Sequence, residues 1–220
     1  MIAAKEISIP LKDVTLGGAM AMPPEALGLV IFAHGSGSSR HSPRNQFVAR
    51  QIQNAGMGTL LFDLLTAEEE QSEARTRHLR FDIQLLAERL IAVTRWVLDE
   101  GTSKDVCIGY FGSSTGAAAA LQAAAGLREE VQAVVSRGGR PDLASEALPR
   151  VTAPTLLIVG GNDREVLAFN EEAYDHLKCE KALRIVPAAS HLFEEPGALE
   201  IVAGMAAEWF ETRLLPITRR

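Results

Sequence analysis

A serine hydroxyl attacks a carbonyl efficiently only when a base takes its proton and a carboxylate fixes the tautomer of that base. The chain offers these three residue types in the order Ser114, Asp163, His191, each shortly after an apolar run of strand length. Ser114 sits in Gly112-Ser113-Ser114-Thr115-Gly116, a G-x-S-x-G pattern between the apolar run 106–111 and an alanine-rich stretch. The glycines have a steric reason. A nucleophile on a sharp strand-to-helix turn needs neighbours without side chains, so that strand and helix approach closely and Oγ projects alone. Asp163 ends Gly160-Gly161-Asn162-Asp163 after the run 154–159, and His191 ends Pro187-Ala188-Ala189-Ser190-His191 after the run 183–186. Each residue has an ordinary alternative: Ser114 and Asp163 as helix caps, His191 as a loop histidine. Their joint occurrence beyond strand ends favours a catalytic triad with Ser114 as nucleophile, His191 as base and Asp163 as its orienting group.

The tetrahedral intermediate of such chemistry needs hydrogen-bond donors placed in advance. One is the backbone N–H of Thr115, the residue after the nucleophile. The other is expected from the loop His34-Gly35-Ser36-Gly37-Ser38-Ser39, with Ser36 the first choice and Gly37 the second. The same loop has a rival reading as a dinucleotide-binding turn, but Arg40 stands where that fingerprint wants Gly or Ala. His34, His41, His78 and His176 show no zinc-helix spacing, and His176 with Cys179 lacks a further ligand nearby, so no metal and no cofactor are expected. Four arginines fall near the expected rim: Arg40, Arg44, Arg137 and Arg140. They are candidates for clamping a substrate carboxylate or phosphate, against the plainer role of tying loops together through Asp142 or carbonyls.

These loops need a frame that brings strand ends to one side. Strand-length apolar runs at 27–32, 58–62, 106–111, 131–135, 154–159 and 183–186 are separated by helical stretches at 43–55, 76–100, 114–127, 165–177 and 197–214. That alternation predicts an α/β fold with a mostly parallel sheet, whose carboxyl-end loops share one rim. The fully apolar strands predict burial on both faces. Two alternating segments, 5–9 and 14–22, predict an antiparallel opening hairpin. The helix at 76–100 carries Leu79, Ile83, Leu86, Leu90 and Val93 as one stripe, and the acidic stretch 66–73 before it reads as a solvated loop and helix start. No linker or repeat divides the chain, so residues 1–220 are expected to form one domain without a large cap.

Composition excludes several functions. A net charge of −6 gives no basic field for nucleic acid or anionic lipid, and no apolar run approaches a membrane span. Two cysteines without zinc or C-x-x-C spacing point to a reducing, cytoplasmic setting. The expected partner is a small-molecule ester, with the protein a monomer or homodimer.

Taken together, the H-G-x-G loop, the G-x-S-x-G elbow and the loops of Asp163 and His191 resemble the α/β-hydrolase superfamily over essentially the whole chain. The compact size is similar to its dienelactone-hydrolase-like branch. That branch carries cysteine at the elbow where this chain has Ser114, with Cys107 upstream in the strand. The resemblance therefore implies a serine hydrolase for small carboxylic esters rather than thiolate chemistry on dienelactones. Thioesterase, acyltransferase, amidase and peptidase chemistry use the same triad, and a non-catalytic binding module uses the same fold.

Overall fold

The apolar runs form strands and the periodic stretches form helices, in the predicted alternation. The computed structural model describes residues 3–26, 28–99 and 106–214. Leu27 of the predicted third strand, Glu100 at the end of the predicted long helix and residues 215–220 lie outside them. The strands are β1 (Lys5–Pro10), β2 (Thr15–Ala21), β3 (Gly28–Ala33), β4 (Gly58–Phe62), β5 (Cys107–Ser113), β6 (Val131–Arg137), β7 (Thr155–Gly160) and β8 (Lys181–Val186). They make one eight-stranded sheet in the order β1-β2-β4-β3-β5-β6-β7-β8. The β1/β2 and β2/β4 pairs are antiparallel, as the opening hairpin requires, and the others are parallel.

The helices are α1 (Pro43–Asn54), α2 (Ala67–Thr76), α3 (Ile83–Asp99), α4 (Thr115–Leu127), α5 (Arg164–His176) and α6 (Ala198–Arg213). Leucines and valines of α3 pack with the alanines of α4 on one face of the sheet, while α1 and α6 cover the other. Every residue of β3, β4, β5 and β7 is buried, which is why these strands read as unbroken apolar runs.

Two expectations are corrected. The helix predicted over 76–100 starts only at Ile83, and Thr76 is instead the last residue of α2, which Arg77 ends in the left-handed region at φ 57°. A short turn, Leu79–Phe81, follows before α3. The acidic stretch is itself helical, because Thr66 and Glu69 form a reciprocal capping box. Glu73 then accepts the Leu79 N–H at 2.8 Å and Asp82 accepts the Leu85 N–H at 3.0 Å, so the break is stabilised on both sides. The buried Arg89 of α3 grips Glu69 with two bonds of 2.6 Å, which holds α2 across the rim. The second correction concerns 183–186: β8 is an edge strand with Arg184 and Ile185 exposed rather than a strand buried on both faces.

Candidate active site

Ser114 occupies the junction of β5 and α4 with φ 51° and ψ −121°, a conformation that L residues avoid. Its N–H donates to Arg137 O at 3.2 Å, and its carbonyl accepts from Ala117 N and Arg140 N, both at 3.1 Å. The backbone is thus held on both sides. A Cβ on Gly112 would lie 2.4 Å from Ala117 Cα, and one on Gly116 would lie 2.2 Å from Ala33 O, so the elbow closes only around glycine at both positions. The hydroxyl of Ser114 makes no capping bond to α4, so the cap alternative is not realised.

Asp163 also begins a helix without capping it. Its carboxylate instead accepts from His191 Nδ1 at 2.6 Å, which leaves Nε2 as the basic nitrogen. Backbone bonds zip the two loops together: Gly161 N to Val186 O at 2.9 Å and Asn162 N to Ala189 O at 2.9 Å. Ser114 and His191 approach Gly138 from two sides. The Ser114 N–H meets the carbonyl of the preceding Arg137, and a Cβ on Gly138 would touch His191 Nδ1 and Cε1 at 3.5 Å.

The oxyanion-hole candidates are placed beside the elbow. Thr115 is the first residue of α4, so its N–H has no intrahelical acceptor and lies at the positive end of the helix dipole. The Ser36 N–H donates to Thr115 Oγ1 at 3.0 Å, and the Ser36 hydroxyl lies 3.0 Å from the same oxygen. Gly37, in the left-handed region at φ 66°, makes no bond of that kind among the described residues. A narrow cavity with about 10 Å³ of free volume, room for roughly one water, lies between this loop, Leu65, Glu70 and Arg80.

The four arginines divide. Arg40 donates to both Asp63 and Glu6, and Arg140 makes bonds of 2.9 and 2.7 Å to Asp142 while lying over the Phe169 ring. These two tie loops. Arg44 pairs with Glu194 at 3.2 Å, and Arg137 is buried. Sequence reasoning passed over Glu195, whose carboxylate accepts the Ser190 N–H at 2.9 Å and so fixes the loop next to His191. Its only sequence signal is an acidic residue shortly after the histidine. His34 is a second such loop-fixing residue. Its Nε2 accepts the Leu64 N–H at 3.0 Å and Nδ1 meets Gly35 O at 3.0 Å, which joins the loops after β3 and β4. Among the described residues no group of His, Cys, Asp and Glu is placed to hold a metal ion. Nor is any helix long and apolar enough to cross a membrane.

Burial holds the His34 pKa below its ordinary value of 6.5. The unfolded chain therefore binds the extra proton first, and stability falls as pH drops below about 6.5. From pH 7.5 to 5.5 the wild type is expected to lose about 1 kcal/mol more than His34→Gln, which keeps an acceptor for Leu64. Urea melts at the two pH values measure this, and equal losses would refute a buried neutral His34.

An α/β hydrolase domain family matches residues 26–201, and the chain belongs to that family. It is 57% identical to the crystal structure of a dienelactone hydrolase from Anabaena variabilis, with a TM-score of 0.95 over 96% of this chain and 98% of that one. The esterase domain of a Rhodothermus marinus protein shares the fold at 16% identity and a TM-score of 0.75, covering 96% of this chain and 99% of that one. A Mycobacterium tuberculosis H37Rv protein named "Putative phosphoribosyl transferase" is 53% identical over 94% of this chain. The chain spans 46% of that relative.

Proposed function

We propose that the chain is a serine hydrolase cleaving small carboxylic esters through Ser114, His191 and Asp163. The observation that carries this reading is the 2.6 Å bond between His191 Nδ1 and Asp163, made by a carboxylate that declines the cap of its own helix. Ser114 attacks the ester carbonyl while His191 Nε2 accepts its proton, and Asp163 stabilises the resulting imidazolium. The Thr115 N–H and an N–H from Ser36 or Gly37 bind the oxyanion. For Ser36 this requires the Thr115 hydroxyl to turn away, which makes Gly37 the more ready donor. His191 then protonates the leaving alcohol, and water attacks the acyl-enzyme by the reverse route. This sequence of steps calls for no metal or redox group. Among the described residues no separate domain covers the elbow, which favours short acyl chains over long ones.

Thioester hydrolysis and acyl transfer use the same groups and are alternatives within the same chemistry. A non-catalytic binding role leaves the strained Ser114 backbone without a purpose. The name carried by the mycobacterial relative covers a chain more than half of which lies outside the match, so phosphoribosyl transfer is not assigned to this half. The deciding experiment is intact mass after treatment with a small fluorophosphonate, followed by a panel of C2 to C12 esters and thioesters. Stoichiometric labelling and faster turnover of the shortest oxygen esters are expected. No labelling would overturn the assignment, and faster turnover of thioesters would move it to the alternative.

A further inference from the structure

Arg137 ends β6, pairs in register with Ser113 and accepts the Ser114 N–H on its carbonyl. Its side chain turns to the face covered by α1 and α6, is only 7% exposed and lies 5.8 Å from the centre of the Phe193 ring. Nε and Nη1 are both buried and reach no acceptor. Burial, and then the charge of Arg44, push its pKa down to about 10, and among the described residues no carboxylate opposes them. Arg44, in the first turn of α1, also has a buried Nε without an acceptor, although its Nη1 holds Glu194. The other carboxylate of that segment, Glu195, turns one oxygen to the Ser190 amide. A guanidinium taken out of water without a counter-charge is strongly disfavoured, and a second cation beside it disfavours it further. An oxyanion entering between Arg137, Arg44 and the first turn of α1 would relieve both. This place is next to the elbow, since the Arg137 carbonyl accepts the Ser114 N–H and a Cβ on Gly138 would lie 3.5 Å from the His191 ring.

We propose that Arg137 and Arg44 bind an anionic group, carboxylate or phosphate, of the ester hydrolysed at Ser114. The inference rests on the serine-hydrolase reading for its catalytic half, and its binding half is read without turnover. In low-salt Tris buffer, inorganic phosphate or succinate at tenfold its dissociation constant is expected to raise the melting temperature by about 3 °C. Arg137→Met, which keeps the length that packs on Phe193, abolishes that rise and melts no lower than wild type in the absence of anion. A rise with phosphate alone assigns a phosphorylated substrate, a rise with succinate alone a carboxylate, and either supports the site. For turnover, the ratio of kcat/KM for para-nitrophenyl hemisuccinate to that for para-nitrophenyl butyrate falls about tenfold or more in Arg137→Met, the scale of one lost charge-assisted pair. The site is overturned if neither anion shifts the wild type, or if the shift survives in Arg137→Met. Should that variant not fold, an undiminished shift in Arg44→Gln overturns it equally. Loss of labelling at Ser114 with the anion shift intact would refute the hydrolase reading and leave the anion site standing.

Discussion

Ser114→Gly is expected to lose kcat/KM by at least about 10⁴-fold, as removal of a triad nucleophile does elsewhere, while folding stability rises by about 1 kcal/mol. The two effects have one origin. At φ 51° and ψ −121° a residue with a Cβ is strained by about 1–3 kcal/mol, and glycine is not. Glycine gives back part of this gain through the greater freedom of the unfolded chain. Ser114→Ala separates the terms, because it removes the hydroxyl and keeps the strain. Urea melts of the three proteins should therefore rank Gly above Ser and Ala, with fluorophosphonate labelling absent from both variants. Retained turnover in either variant would remove Ser114 from the mechanism. A glycine variant less stable than the alanine one would mean that the elbow is not strained.

Gly116→Ala should be among the most damaging single methyls at the described glycines. The added Cβ would lie 2.2 Å from Ala33 O and 2.4 Å from His34 O, both backbone atoms at the end of β3. No side chain can turn aside, so α4 must lift or the H-G-S-G loop must move, at a cost of about 3 kcal/mol. The expected result is a lower urea midpoint together with reduced kcat where the protein is still folded, because the displaced loop carries Ser36 and Gly37, the proposed second oxyanion donors. Gly126→Ala, in the same helix, is the control. Its Cβ would meet only Ile91 Cδ1 at 3.4 Å, an ordinary contact, and the change should stabilise by about 0.5–1 kcal/mol through helix propensity. Equal effects at the two positions would show that close approach to β3 does not decide the elbow.

The positions of Ser114, Asp163 and His191 were legible in the sequence because each follows an apolar run, and parallel strands bring their carboxyl ends to one rim. What was not legible depends on which of several available partners, near or distant in sequence, each group takes. The spacing of Leu79, Ile83 and Leu86 fits a continuous helix, and nothing local reveals that Glu73 captures the Leu79 N–H and Asp82 caps the next helix. The run 183–186, Leu-Arg-Ile-Val, carries a charge at Arg184 that the other apolar runs lack, and among the described residues no strand pairs with its outer side. The arginines show the same limit. Arg40 and Arg137 are equally plausible pocket residues in the sequence, and only the fold reveals that one meets Asp63 and the other meets no carboxylate among the described residues. The bond from Ser36 N–H to Thr115, which bears on the choice of oxyanion donor, likewise joins distant segments.

The placement of β8 at the sheet edge bears on how the protein fails. His191 follows a strand with a single neighbour in the sheet among the described residues, and the loop of Asp163 is zipped to that strand's end. Edge segments of this kind open at lower free energy than the sheet interior. His191 and Asp163, the proposed base and its carboxylate, therefore ride on a unit able to fray while β3, β4 and β5 stay closed. Amide hydrogen exchange should find residues 181–191 opening well before 107–113. In mild denaturant, activity should disappear, reversibly, ahead of the global unfolding signal.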